Sequence, residues 1–211
     1  MKKTAILIDG DWMARGLSKL LHVHYATADQ VYRNAKSVLI PDEEELYRMF
    51  YYDATPYAGT LENPISHTKT DYSATPSFGG RERFFQELNA MPQVALRLGV
   101  LKFRGWTIDD AFHKRLLAAS ATPSAITEKD IRPNFTQKGV DMRIGIDIAS
   151  LVFKKIVDRI ILFSGDTDMA PAIKLARIEG VQIAVVQVGT KALNAKLIED
   201  SDFLRILTPV P

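Results

Sequence analysis

The sequence contains no cysteine among its 211 residues, which excludes a disulfide framework and thiolate metal sites. The absence of cysteine is compatible with a reducing compartment, and we expect a cytoplasmic location. No apolar run approaches the ~20 residues of a membrane span. The run AILI at 5–8 is too short for a signal peptide before Asp9 interrupts it. We therefore expect no membrane as a partner.

Neither sign of charge dominates the composition. The chain has 27 basic and 25 acidic residues, a net charge of +2 and a pI of about 8.7. This balance permits a polyanionic partner without forming a diagnostic basic footprint. The hydrophobic and charged fractions, 46% and 25%, are those of an ordinary globular protein. The oligomeric state is left open, and a homodimer is compatible with the sequence.

Strand and helix patterns alternate along nearly the whole chain. Strands are predicted at 4–9, 46–53, 94–103, 159–164, 181–187 and 203–207, and helices at about 12–22, 28–38, 81–90, 142–156, 170–179 and 190–200. This rhythm predicts an α/β fold with a central, mostly parallel sheet and helices on both faces. We expect a single domain over 1–211, with irregular insertions at about 54–80 and 104–138 that are long for loops.

Aspartates follow several of the predicted strands. The segment LFSGDTDMAP at 162–171 places Asp166 and Asp168 directly after a buried strand, while Asp9 ends the first strand and Asp53 the second. Because the carboxyl ends of parallel strands share one edge of the sheet, these acids can converge there. A helix cap or a turn explains any single aspartate, but it explains the pair less well.

Two further acids, Asp141 and Asp147, lie in KGVDMRIGIDIASLVFKK at 138–155, where a helix leads into the strand at 159–164. They are six positions apart, about 120° around an ideal helix, so both face one point only if the helix starts after Asp141. Several carboxylates in one cleft repel each other unless a cation compensates them. Oxygen-only sites suit Mg²⁺ or Mn²⁺, ions that promote phosphoryl transfer.

Four blocks together resemble the NYN family of PIN-like nucleases: IDGDW (8–12), LYRMFYYDATP (46–56), KGVDMRIGIDIASL (138–151) and LFSGDTDMAPAIKLARIEG (162–180). The resemblance implies a metal-dependent endoribonuclease that hydrolyses RNA phosphodiester bonds on a PIN-like three-layer α/β/α sandwich. It implies that the catalytic residues are Asp9, Asp147, Asp166 and Asp168. It also implies that these four, together with Asp141, hold Mg²⁺ or Mn²⁺.

The first block departs from the family pattern. The family commonly has Asn where this chain has Trp12, and Asp11 is a candidate to replace it. Losing the Asn removes a polar group that would orient substrate or a metal-bound water. The usual aromatic residue after the terminal acid pair is Met169 here, a milder change.

Four residues near the acids are candidates for binding substrate. Lys138 and Arg143 could bind phosphate oxygens as cations, and Ser164 and Thr167 could donate hydrogen bonds to phosphate or to a metal-bound water. For the lysine, an ordinary solvated surface position is the equal alternative. For the two hydroxyls, turn formation is the equal alternative.

Two other functions remain open. A haloacid-dehalogenase-type phosphatase would use Asp9 as nucleophile and Asp11 as general acid, but its motif expects Thr or Val at Trp12 and gives the KGVD block no role. A non-catalytic RNA-binding protein would explain Trp12, whereas the five surviving acids argue against decay of a catalytic site.

Overall fold

The computed structural model describes residues 1–118, 126–190 and 192–210. Its strands are β1 (Lys2–Asp9), β2 (Glu44–Thr55), β3 (Thr60–Glu62), β4 (Lys69–Asp71), β5 (Val94–Ile108), β6 (Ile131–Lys138), β7 (Arg159–Phe163), β8 (Gln182–Gln187) and β9 (Phe203–Ile206). Its helices are α1 (Gly10–Leu21), α2 (Ala28–Lys36), α3 (Pro76–Asn89), α4 (Asp110–Leu117), α5 (Val140–Phe153), α6 (Ala170–Ile178) and α7 (Ala195–Asp200). The parts of the predicted 104–138 insertion at 119–125 and of the predicted helix 190–200 at 191 lie outside the described residues.

The chain forms two compact units. The first comprises Met1–Ala54, Arg83–Gly99 and Gly139–Pro211, and the second comprises Thr55–Glu82 and Val100–Lys138. The second unit thus consists almost entirely of the two predicted insertions. Within the described residues these insertions are not only irregular chain, because they contain β3, β4, α4 and β6.

In the first unit the sheet order is β5-β2-β1-β7-β8-β9. Strand β1 pairs in parallel with both β2 and β7, and β8 pairs in parallel with both β7 and β9. Strand β5 continues into the second unit, where it pairs antiparallel with β6. The predicted α/β fold with a mostly parallel central sheet is confirmed.

The core of the first unit lies on both faces of this sheet. Residues 5–8 of β1 are all fully buried, as expected for a parallel strand covered by helices on each side. Ile6 and Ile8 pack in one cluster with Phe163 of β7 and with Met13 and Leu17 of α1. The alternate residues point to the face where α5 contacts β1 and α6 contacts β8.

Three strands of this sheet contribute side chains to one ion-pair network around a buried carboxylate. The Glu44 carboxylate, at the start of β2, pairs with Arg159 at the start of β7 and with Arg205 of β9 at 2.7 Å. Burial raises the pKa of Glu44, but hydrogen bonds from Arg205, the Ile40 N–H and Arg159 lower it more, to about 2. Because its oxygens are fully partnered, the buried charge joins three strands.

None of the helices in the described part of the chain is both long enough and apolar enough to cross a bilayer.

Candidate active site

The strands that carry the acids are neighbours in the middle of the sheet. Residues 4–8 of β1 pair in parallel with 159–163 of β7, so both strands end at the same edge. Asp9 is the last residue of β1, and the SGDTD loop at 164–168 follows β7 directly. The acids that follow these two strands therefore lie at one edge of the sheet, as expected from their positions at the strand ends.

Asp9 caps helix α1 and is linked to the SGDTD loop. Its Oδ1 accepts hydrogen bonds from the N–H groups of Asp11 at 3.1 Å and Trp12 at 3.3 Å. Its Oδ2 lies 3.5 Å from Ser164 Oγ, and that hydroxyl accepts a hydrogen bond from the Asp166 N–H at 3.2 Å. Ser164 therefore lies between the first acid and the terminal pair.

The two acids of the terminal pair, Asp166 and Asp168, differ in their hydrogen bonding and exposure. Asp166 Oδ1 accepts the Asp168 N–H at 2.9 Å and starts a short 3-10 turn, Thr167–Met169, that leads into α6. The Asp168 side chain is exposed, and Thr167 is half-buried. Turn formation therefore uses one oxygen of Asp166 and leaves its second oxygen and the Asp168 carboxylate outside the turn.

The acids act on one another electrostatically. The pKa of Asp9 is raised to about 6, chiefly by burial and further by the negative charges of Asp11 and Asp141, against the hydrogen bonds that lower it. The pKa of Asp141 is also raised, first by the partial desolvation of its carboxylate and then by the charges of Asp166 and Asp168. We call Asp9, Asp141, Asp166 and Asp168 the acid cluster.

The start of α5 separates the two acids of the KGVD block. Gly139, in the left-handed region at a φ of 77°, precedes a helix that begins at Val140, so Asp141 lies inside the first turn. The condition under which Asp141 and Asp147 would face one point is therefore not met. Asp141 is exposed beside the terminal pair, and Asp147 is buried.

The Asp147 carboxylate is engaged with two other side chains. Arg97 of β5 binds both of its oxygens, through Nε at 2.7 Å and through Nη2, and the Tyr52 hydroxyl donates to Oδ2 at 2.9 Å. The hydrogen bond with Asp147 raises the pKa of Arg97. Burial, followed by the charge of Asp147, raises the pKa of Tyr52. Sequence analysis missed both partners, although a lone arginine in the apolar strand VALRLGV was a signal that it has a specific partner.

Trp12 occupies the position of the family Asn and packs on the SGDTD loop. Its ring lies so close to Gly165 that any Cβ there would overlap it. Asp53, the acid near the end of β2, is buried, and its Oδ1 accepts the Ala54 N–H at 2.7 Å. Its Oδ2 lies against Gly10, where a side chain would not fit.

The two predicted phosphate-binding cations differ in their environments. The Arg143 guanidinium turns back over the start of α5 and donates to the Gly139 carbonyl at 2.8 Å. Lys138 is exposed at the end of β6, in the second unit.

The acid cluster offers only carboxylate oxygens as donors to a cation. Within the described residues, no three His, Cys, Asp or Glu side chains are grouped closely enough to hold a metal ion. The donor chemistry nevertheless fits a hard divalent cation, because all the candidate ligands are carboxylates, and burial together with the charges of neighbouring acids raises the pKa values of Asp9 and Asp141.

A family model, described as the NYN domain, matches residues 82–207. The chain belongs to the NYN domain family. NYN domains are PIN-like and generally nuclease-like, which supports a nuclease or RNA-related role. The matched part of this NYN domain includes Asp141, Asp147, Asp166 and Asp168, and it begins after Asp9.

The fold of the NYN domain is similar to one solved structure, a protein of unknown function from Vibrio parahaemolyticus. The two share 16% identity over 98% of this chain and 93% of that chain, with a TM-score of 0.51. At this identity the similarity concerns the fold alone. No curated protein matches the chain significantly.

Proposed function

We propose that this NYN domain is a metal-dependent endoribonuclease that hydrolyses RNA phosphodiester bonds at the acid cluster. The observation that supports it is the grouping of carboxylates at the edge where β1 and β7 end, where burial first and neighbouring acids second raise the pKa values of Asp9 and Asp141. A fold keeps repelling charges when they serve a ligand, and strongly perturbed acids mark functional sites.

In this proposal Asp9, Asp141, Asp166 and Asp168 hold Mg²⁺ or Mn²⁺. When bound, such an ion activates water and stabilises the charge that develops on phosphate oxygens. Ser164 orients Asp9 and the Asp166 backbone through its hydroxyl. Asp147 remains a predicted ligand of the ion. Because its carboxylate also binds Arg97 and Tyr52, its role in ion binding is tested by a variant of its own.

Substrate binding is proposed for Lys138, Arg143, Ser164 and Thr167. Arg143 keeps donors beyond the one that binds the Gly139 carbonyl, and it sits at the N-terminal end of α5, where anions are favoured. Thr167 lies in the loop that carries both terminal acids.

A second candidate is a non-catalytic RNA-binding protein. Two observations favour it: the described residues contain no ready group of three metal ligands, and Trp12 fills the space over Gly165 in place of a polar side chain. The phosphatase is less favoured, because Asp11, its required acid, is exposed and paired with Arg15 at 2.7 Å.

The test is cleavage of an end-labelled structured RNA and of single-stranded DNA with Mg²⁺, Mn²⁺ or EDTA. We expect cleavage of RNA that needs the divalent ion, and a loss on the order of 10²–10⁴ in rate for Asp166→Asn, corresponding to several kcal/mol of transition-state stabilisation. Asp29→Asn, an exposed acid in the first turn of α2, is the matched control. RNA that is bound but uncut under every condition would favour the second candidate.

A further inference from the structure

The second unit contains an antiparallel ribbon with two unlike faces. Residues 100–108 of β5 pair with β6, with Val100 opposite Lys138, Lys102 opposite Thr136 and Phe103 opposite Phe135. Because side chains alternate along a strand and opposite residues share a face, Lys102 and Lys138 lie on one face, and the two phenylalanines lie on the other.

The phenylalanine face is covered by the unit itself. Phe135 packs against Phe103 with ring centroids 6.0 Å apart, against Tyr57 at 5.1 Å and against Tyr72 at 5.6 Å. Trp106 extends the group through Phe103 at 6.1 Å. These rings form a small aromatic core that holds the ribbon in place.

The other side of the ribbon is positively charged. The two ribbon segments contain four basic residues and no acidic residue: Lys102, Arg104, Arg132 and Lys138. Arg132 pairs with Asp110 at 2.9 Å. Lys102, Arg104 and Lys138 are exposed, and within the residues that the structure describes, no carboxylate pairs with any of the three. We call these three residues the basic ribbon surface.

A bulge shapes this surface. Phe103 pairs with Phe135 and Trp106 with Pro133, so β5 has one more residue than β6 between the two pairs. Gly105 adopts a φ of 97°, which favours glycine. The bulge interrupts the hydrogen-bond ladder between β5 and β6 at Arg104 and Gly105, and it contains no acidic residue.

We propose that the basic ribbon surface binds the phosphodiester backbone of RNA, independently of base sequence. The proposal rests on the proposed function, since RNA is the polyanion that an endoribonuclease meets. Lys102 and Lys138 are diagonal neighbours across the ribbon. The Cα atoms of such neighbours are typically about 7–8 Å apart, so both lysines can contact successive phosphates of one strand.

The surface fits RNA better than other anionic partners. A protein interface needs an apolar core, and a membrane-binding surface needs apolar side chains that insert between lipids. Val100, 47% exposed, is the large apolar side chain that faces outward beside Lys102 and Lys138. Unpaired cations with so little apolar surface are typical of phosphate contacts.

The test measures the affinity of a labelled 20-nucleotide single-stranded RNA against salt concentration, in EDTA so that binding is separated from cleavage. Each phosphate contact contributes about 0.7 to the slope of log affinity against log salt. We expect the triple variant K102A/R104A/K138A to lower that slope by about 2, with a loss of affinity of about 100-fold at 0.1 M salt and about 4-fold at 0.5 M. K102R/K138R should keep the wild-type slope.

The matched control is K114A/K129A, which removes two exposed lysines of the same unit outside the ribbon and should leave slope and affinity unchanged. A wild-type slope in the triple variant overturns the proposal, and so does an equal decrease in the control. Loss of binding to anionic phospholipid vesicles with intact RNA binding would assign the surface to a membrane instead. Cleavage of RNA by the wild type is measured in a separate assay. Binding of RNA without cleavage would refute the proposed nuclease activity and would still support RNA binding by the basic ribbon surface.

Discussion

Replacing Asp9 by Asn removes a negative charge that folding brings close to other negative charges. The carboxylate is partly buried at the end of β1, and Asp11 and Asp141 repel it. Asn has nearly the same shape and is an equally good helix cap, so the hydrogen bonds from the Asp11 and Trp12 N–H groups can be kept. We therefore expect Asp9→Asn to abolish cleavage and to stabilise the metal-free fold.

The magnitude follows from the pKa of Asp9, which rises from 3.8 to about 6 on folding. Two units at 1.36 kcal/mol each give about 3 kcal/mol, which partial exposure reduces to about 1–3 kcal/mol. Between pH 3.8 and about pH 6 the folded state binds more protons than the unfolded state, so the free energy of unfolding falls as pH rises. The gain from Asp9→Asn should thus be complete above about pH 6 and absent below about pH 4.

The assay is urea unfolding in EDTA at pH 4 and pH 8, with Asp29→Asn as control for a solvent-exposed aspartate in a first helical turn. Saturating Mn²⁺ should then stabilise the wild type more than the variant, because the ion binds the native acids. An Asp9→Asn protein that is no more stable than the wild type at pH 8 would refute the argument that burial and neighbouring charges destabilise the ionised carboxylate of Asp9. An equal gain at both pH values would assign it to something other than ionisation.

Two further variants test ion pairs that sequence analysis did not identify. Glu44→Gln leaves the buried Arg159 and the partly buried Arg205 without a counter-charge and should cost about 3–5 kcal/mol in urea unfolding at pH 7. Since the folded pKa of Glu44 is depressed to about 2, the deficit should shrink as pH falls below about 4.5, and a constant deficit down to pH 2 would contradict the ionic origin. Arg97→Ala should cost about 1–3 kcal/mol, because the arginine is partly exposed while Asp147 is buried. If Asp147 is only a partner of Arg97, Asp147→Asn will keep the Mn²⁺-induced rise in melting temperature; loss of that rise would establish Asp147 as a ligand.

Sequence analysis located the edge of the sheet where the acid cluster lies, because strong local patterns determine it. The apolar runs before Asp9 and Asp166 form fully buried parallel strands, and such runs are recognisable without knowledge of the partner strand. The predicted helix at 170–179 is also found, as α6, with Pro171 in its first turn. The proximity of these two strand ends therefore followed from topology.

The environment of Asp147 was beyond such reasoning. The direction in which the Asp147 side chain points is set by helix α5. If α5 began after Asp141 instead of at Val140, Asp141 and Asp147 could face the same point. Its partner Arg97 lies 50 positions away on another strand, a distance over which spacing carries no information. Sequence patterns therefore gave the candidate ligands but not the ion pair that holds one of them.

Strand β6 was missed for a compositional reason. Its sequence IRPNFTQK contains Pro133 and alternates weakly, so it has neither the apolar run nor the periodicity of the other strands. It lies at the end of the strand order, where a proline without an N–H is tolerated. Its main apolar contact, Phe135 with Tyr57, forms only in the folded second unit.

The composition of the second unit from two separate segments has a consequence for the order of folding. Tyr57 and Tyr72 belong to the first segment and Phe135 to the second, with 83–99 of the other unit between them in sequence. During synthesis the aromatic core cannot close until residue 135 has emerged, and contacts over such a separation form slowly. Paired residues of β1 and β7 are 155 positions apart, whereas Tyr57 and Phe135 are 78 apart. We therefore expect the amides of β6 to gain protection before those of β1 and β7 in pulse-labelled hydrogen exchange during refolding. Until residue 135 has emerged, Tyr57 and Tyr72 of a nascent chain lack their partner Phe135, and the segment at 55–82 is open to chaperones and proteases.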